Sequence, residues 1–478
     1  MRPATPLLAK TPFAIDSRPL DGALTPFAGL AGVSRAFRSL KIPGQIEANL
    51  PLKQRDRGLS PAQYIECLSL LQIAGGECKE DMEKLRGDQG LEKILGYQPP
   101  SARSLGDFLE KFHDPDRLER GKAKAERQRR LAFIPEENEA LSGLGRVLSG
   151  TVAAINRQGE YPSSATIDED ATIIESYKHT AEPTYDGRRG YQPMVAVWAE
   201  SGLIVADEFR NGNVPANMEP LNCARRAFNA LPSHIQEYYF RGDSACHEHN
   251  LIEWLNDPQR EDGPKGFIGF AISARLSEDL AKALRKVSER GWKTFDQDRD
   301  GTVRQWAEID FVPADRTERK DSSPLRYIGL RLVKAQGDLF ADGEKKKHFA
   351  VLTNRTESAE TILRWQRLKA GTIEHVHDEL KNGLAAGRLP SAKFGANAAW
   401  FRLSCLIFNL VEALRRNWPD ESLRTAKLKR LRFEIFSVTG RITRDRRKIS
   451  LRLAASKTWI RRLVRFFQSF PLITRSTG

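Results

Sequence analysis

The chain has 478 residues, more than one hydrophobic core usually supports, so about two to four domains are expected. Apolar residues make up 40% and charged residues 29%, an ordinary globular balance without a run of about 20 apolar residues, so no membrane span is expected. The net charge of +14 excludes an acidic, self-solvating chain, and its location is informative: Glu421 to Gly478 carries 16 Lys and Arg against 3 Asp and Glu, nearly the whole excess.

The five cysteines, at 67, 78, 223, 246 and 405, show no C-x-x-C spacing, which suits buried thiols in a reducing compartment. The start, "MRPATPLLAKTPFAI", is broken by Pro and Lys and lacks a secretory apolar core, so a cytoplasmic protein is expected.

Residues 1 to about 45 are rich in Pro, Ala and Gly and read as an extended lead-in. From Ser60 the pattern turns helical: "SPAQYIECLSLLQIAGG" has a Ser cap, Pro at the first helical position and a Gly pair at its end. In "QGLEKILGYQPPSARSLGDFLEKF" one helix stops near Gly96 and Ser101 caps the next. Small helices with tight turns fit a helix-turn-helix DNA-binding module and a plain helical bundle about equally. A basic connecting helix (Arg117 to Arg130) and the helix "ENEALSGLGRVLSGTVAAIN" complete a helical region, 1–160, expected to bind DNA.

At Ala165 the period changes from helix to strand. "ATIDEDATII" precedes "PMVAVWAESGLIVADEF", two apolar runs joined across Glu200-Ser201-Gly202 as a hairpin. A helix, the strand "EYYFRGD", a helix after His247 and the strand "GFIGFAISA" follow. Strand, hairpin, helix, strand, helix, strand is the order of a mixed-sheet α/β core of RNase H-like type, assigned to 161–274. Residues 275–348 are charged with short β-like pieces and read as a β-rich insertion. The core resumes over 349–420 with "KHFAVLTN" and long helical stretches, and 421–478 is the basic C-terminal region. Stretches such as "RITRDRRK", with Arg446, Arg447 and Lys448, would attract a polyanion, and nucleic acid is the expected partner.

Three acidic positions stand out. Asp170 shares one strand face with Asp168, because side chains alternate. Asp243 ends a later strand, where Asp could also simply cap the next helix. Glu374 lies on a late helix with Asp378 and Glu379 as alternates, and Glu374, His377, Asp378 and Lys381 fall on one side of it at spacings of three, four and seven. Carboxylates on two strands and a helix suit Mg²⁺, a hard cation that prefers carboxylate oxygen, and two such ions about 4 Å apart serve phosphoryl transfer.

The segments "IDEDATIIESYKHTA", "YFRGDSACHEHNLIEWL" and "GTIEHVHDELKNGLAAGRLPSAKFGANAAW" together resemble the DDE transposases of bacterial insertion sequences, in the branch with a β insertion before the final Glu. The resemblance covers roughly Ala165 to Arg416. It implies a DNA transposase whose catalytic, metal-holding residues are Asp170, Asp243 and Glu374, with two Mg²⁺ ions that Mn²⁺ can replace. It implies double-stranded DNA partners (terminal inverted repeats and target DNA), a homodimer on DNA, and a nucleoid-associated place in a bacterial cytoplasm. Lys381, seven residues after Glu374, is expected to face the phosphate backbone. Further expected DNA contacts are Lys369, Arg367 and Arg241 near the site and Arg446, Arg447 and Lys448 in the tail, while Trp292 reads equally as stacking on a flipped base or as the core of a small domain. Related enzymes carry Tyr and Arg seven and four residues before the Glu. Here those places hold Arg367 and Ala370, with Lys369 one step off, so the resemblance leaves open whether a hairpin or another cleavage intermediate forms.

Cys246, His247 and His249 look like zinc ligands, but C-H-x-H spacing is too tight for a usual chelate and no second paired motif exists. They are expected to support Asp243 instead. A nuclease of the same fold that cuts without joining, and a non-catalytic DNA-binding descendant, remain the rival functions.

Overall fold

The computed structural model describes residues 22–52, 58–159, 162–313, 325–334, 340, 345–445 and 448–470. Its N-terminal third is helical, with α1 (Leu30–Ser39), α2 (Ile42–Asn49), α3 (Pro61–Ala74), α4 (Gln89–Leu95), α5 (Ala102–Glu110), α6 (Pro115–Arg127) and α7 (Glu139–Asn156), besides a five-residue helix at Met82–Arg86. Their ends follow local chemistry. Ser60 Oγ accepts from the Gln63 amide while Gln63 Oε1 accepts from the Ser60 amide, a reciprocal cap with Pro61 at the first helical position. Gly75 closes α3 at φ 100°, a left-handed conformation that glycine adopts without strain.

Strands β1 (Ser164–Ala171), β2 (Met194–Trp198) and β3 (Leu203–Glu208) come next, then α8 (Leu221–Asn229), β4 (Glu237–Gly242), α9 (His249–Asn256) and β5 (Ile268–Ser273). The predicted hairpin is β2–β3, with Trp198 opposite Leu203. After α10 (Glu278–Lys286) come β6 (Lys293–Gln297), β7 (Val303–Ile309), β8 (Arg326–Val333) and β9 (Lys346–Thr353). Two long helices, α11 (Ala359–Asp378) and α12 (Phe394–Arg416), and a terminal one, α13 (Lys457–Gln468), follow.

The nine strands form one sheet in the order β6-β7-β8-β9-β5-β4-β1-β2-β3. Strands β1, β4 and β5 are parallel, and β2 and β3 run antiparallel beside them, the mixed α/β arrangement of an RNase H-like core. The 275–348 stretch does not build a sheet of its own: its strands reach the core through β9, which pairs with β5 from Val351↔Ser273 to Thr353↔Ala271. This pairing covers the edge that β5 would otherwise expose.

Helix α11 packs on β1, β4 and β5, and α8 on β1, β2 and β3. Alternation along β1 turns Asp168 and Asp170 toward α11 and Glu169 toward α8. Helix α12 is the hub of the helical layer, with α1, α3, α5 and α7 packed around it. By length and composition α12 could cross a membrane, which the opening composition did not register, but 94% of its apolar window is buried within the protein. Its Asn409 bonds both the amide and the carbonyl of Ile204, at 2.8 and 2.7 Å, satisfying backbone groups on the outer strand β3.

The basic C-terminal region folds back onto this layer. Gly440–Asp445 pairs with both Leu24–Thr25 and Lys448–Leu453. On α13, Leu463 and Phe466 are buried, with Phe466 4.5 Å from Trp418 ring to ring, while Lys457, Arg461, Arg462 and Arg465 are exposed.

Candidate active site

Parallel strands β1 and β4 pair in register from Ser164↔Glu237 to Glu169↔Gly242. One step further along each chain come Asp170 and Asp243, on the face that α11 covers. The two carboxylates are close enough to repel, and Asp170 is among the charges that raise the Asp243 carboxyl; burial is the larger cause. Asp243 also caps the turn after it: its Oδ1 accepts from the Ala245 amide at 2.9 Å. The capping role foreseen for Asp243 is therefore present at the strand end.

Gly242 makes this strand end possible. A Cβ on it would fall 2.4 Å from the Cys246 Cβ, far inside contact distance. Cys246 is fully buried, and burial pushes its thiol well above the ordinary range, so it packs as an apolar group. His247 Nδ1 accepts from the Arg275 amide at 3.4 Å. Among the described residues no group of three or more His, Cys, Asp or Glu is arranged to hold a metal ion.

Asp168, the other acid on this face, is committed elsewhere. Its two oxygens accept from Arg241 Nε and Nη2 at 2.6 and 2.7 Å, and both side chains are almost wholly buried. Arg241 also donates to the Trp365 carbonyl at 2.7 Å and lies over the Trp365 ring. The expectation that Arg241 contacts DNA is corrected by this geometry: its guanidinium clamps β1, β4 and α11 together. Glu169, on the opposite face, is fully buried with neither oxygen hydrogen-bonded among the described residues, and burial raises its carboxyl well above the ordinary range.

Lys369 was expected at the DNA surface, but α11 turns it inward and it is only 7% exposed. Its Nζ lies 3.4 Å from Asp170 Oδ2. Burial disfavours the ammonium, but Asp170 and Asp243 outweigh burial and raise its pKa. His377, two turns on, places Nε2 3.8 Å from Asp170, and neither ring nitrogen hydrogen-bonds among the described residues. Burial, with Lys381 and Lys369 adding to it, holds His377 down to about 3, so the imidazole is neutral and the contact is no ion pair.

Three acids lie near the end of α11. Glu379 is buried, 2.6 Å from Arg415 Nη2, and accepts from the Leu428 amide. Asp378 accepts from Lys427 and Asn382, both at 2.7 Å. Glu374 is exposed and makes no hydrogen bond or ion pair among the described residues. It stands three residues before His377 on the same helix surface, where Cβ atoms are about 5–6 Å apart. The structure thus brings Asp170 and Asp243 together and leaves Glu374 exposed on α11, outside any group of three among the described residues. Beyond Asp378 the chain makes one π-helical turn, Glu379–Gly383, so the regular spacing assumed for Lys381 does not hold there. Lys381 is half-buried and still feels Asp170, although burial and Arg188 lower its pKa.

The remaining expected DNA contacts are placed as follows. Arg367 is ion-paired to Asp296 and Asp298 of the 275–348 stretch. Of the two readings of Trp292, its place matches the core one: it is 7% exposed, with Arg331 4.5 Å above its ring and His348 beside it. Arg446 and Arg447 lie outside the described residues, as does the Lys448 side chain, although Lys448 begins the last strand. A cleft of about 840 Å³ lies between α6, α7 and β3, and none of Asp170, Asp243 and Glu374 lines it.

Sequence reasoning missed the Asp168–Arg241 clamp and the inward turn of Lys369. The alternation of "IDED" beside "FRGD" carried the signal for the clamp, since parallel register sets Asp168 opposite Arg241.

A donor set of two adjacent carboxylates, with a lysine ammonium 3.4 Å from one of them, suits a cation with a preference for oxygen. Among solved structures, a piggyBac transposase synaptic complex with hairpin DNA matches 85% of this chain and 79% of that chain, at 8% identity and a TM-score of 0.43, a likeness too loose to argue from. No curated protein matches the chain. The family model for the transposase DDE domain, group 1, matches residues 22–473, nearly the whole length, and the chain belongs to that family of DDE transposases.

Proposed function

We propose that this chain is a DNA transposase that cuts the ends of an insertion sequence and joins the freed 3′-OH to target DNA. One observation carries the reading: Asp170 and Asp243 stand side by side at the carboxyl ends of adjacent parallel strands, on the face covered by the helix that bears Glu374. Those three residues would hold Mg²⁺ or Mn²⁺, as two ions. Such a cation, when bound, supplies positive charge that activates the attacking oxygen and steadies the leaving one.

The chain's own groups do the rest. The Asp168–Arg241 pair fixes the two strands and α11 against each other, so the carboxylates are preorganised before DNA arrives. Asp243 is oriented through its cap to Ala245, which leaves its second oxygen for a ligand. Lys381 faces the phosphate backbone of the bound end. A water attacks the phosphodiester and releases the 3′-OH, which attacks target DNA in a second in-line step. The basic face of α13 holds DNA, and pairing two ends calls for a homodimer. Phosphate contacts make binding fall steeply with salt. The element is bacterial, and the enzyme works in the cytoplasm at the nucleoid.

A strand-transfer assay with a pre-cleaved, 3′-OH-bearing end tests this reading. Joined product is expected. Cleavage of uncut ends without joining would assign the chain to the nucleases of the same fold.

A further inference from the structure

We propose that Lys369 is a resident counter-ion and positioning residue that holds Asp170 and Asp243 together in the metal-free enzyme and withdraws when a divalent cation loads. The inference rests on the reading of those two carboxylates as metal ligands.

Two cation–carboxylate pairs lie next to each other on the same face of the sheet, and they differ in kind. Arg241 grips Asp168 with two bonds of 2.6 and 2.7 Å, within the range of strong charge-assisted contacts. Lys369 approaches Asp170 only to 3.4 Å, too long for such a bond, and shares its charge with Asp243. The first pair is a clamp. The second is a loose electrostatic plug, in which a compact ammonium on a flexible four-carbon stem stands where charge is needed.

A buried lysine persists only when paired, and two carboxylates left facing each other repel, so Lys369 stabilises the empty site. A divalent ion between the same carboxylates would supply more charge and would repel the ammonium.

The test uses the full chain. Lysines are reductively methylated with and without Mn²⁺, and Lys369 is followed by peptide mass spectrometry. It is expected to be protected without the metal and modified with it. In parallel, Lys369→Met is expected to bind Mn²⁺ about tenfold more tightly in calorimetry, because no ammonium has to leave, and to melt at a lower temperature in chelator. A merely structural lysine would not couple its reactivity to metal. If Lys369→Met fails to fold, labelling of the unaltered protein decides alone. If Asp243→Asn abolishes Mn²⁺ binding, yet the unaltered protein keeps Lys369 equally protected with and without Mn²⁺, the counter-ion role is overturned while the ligand reading stands. Mn²⁺ binding unaffected by Asp243→Asn removes that reading, and the inference with it.

Discussion

Arg241 and Asp168 face each other across adjacent parallel strands, joined by two hydrogen bonds in a pocket from which water is almost wholly excluded. The pair sits one alternation below Asp170 and Asp243, so it sets the height and spacing of the strand ends that carry them. Arg241→Met leaves a buried carboxylate unpaired and is expected to cost about 3–5 kcal/mol in denaturant unfolding. A loss under about 1 kcal/mol would show that the clamp is not what holds the strands.

The three acids at the end of α11 separate by what they touch. Glu379 is bound to Arg415 in the interior, whereas Glu374 is exposed and unpaired among the described residues. Glu374→Gln is expected to leave stability within about 0.5 kcal/mol, as surface changes do, while DNA cleavage falls by roughly a thousandfold, the loss of a few kcal/mol from the transition state. Glu379→Ala is expected to do the reverse, destabilising by about 3–5 kcal/mol. Activity retained in Glu374→Gln would transfer the third position to another acid.

The acid limb of the stability profile has a named source. Burial favours the protonated form of Glu137, but Arg402 and Arg226 outweigh it and hold its carboxyl at about 2, below the ordinary 4.5. A depressed carboxyl adds stability that is complete above pH 4.5 and is lost as pH falls toward 2, because the unfolded chain takes up the proton first. The contribution at neutral pH is on the order of 3 kcal/mol, at about 1.4 kcal/mol per pKa unit. Glu137→Gln should lower unfolding free energy at pH 7 and flatten its decline between pH 4.5 and 2. A decline of unchanged steepness would place the acid sensitivity elsewhere.

Much of this site was legible because its signals are local. The alternation in "ATIDEDATII" set Asp168 and Asp170 on one face, and the hairpin and strand order followed from short apolar runs and turn residues. Choosing between the two aspartates was not local: it depends on Arg241, 73 positions away, arriving opposite Asp168. Lys369 was misplaced, and Trp292 left between two readings, for a similar reason. Each lies in a charged stretch that reads as surface, and only the landing of α11 on the sheet and the closing of Arg331 over the indole bury them. The 275–348 strands read as an insertion because pairing between β9 and β5 spans some eighty residues and leaves no trace in either segment.

The measurement that tests the account most directly is cleavage of end-labelled DNA carrying the element's terminal repeats by Asp243→Asn beside the unaltered enzyme, at equal DNA occupancy. Substituting one carboxylate oxygen by an amide keeps the shape of the strand end while removing its charge. The expected result is DNA bound as before with the labelled strand left whole. Fragments appearing at the wild-type rate would mean that the paired aspartates at the ends of β1 and β4 are not where the chemistry happens.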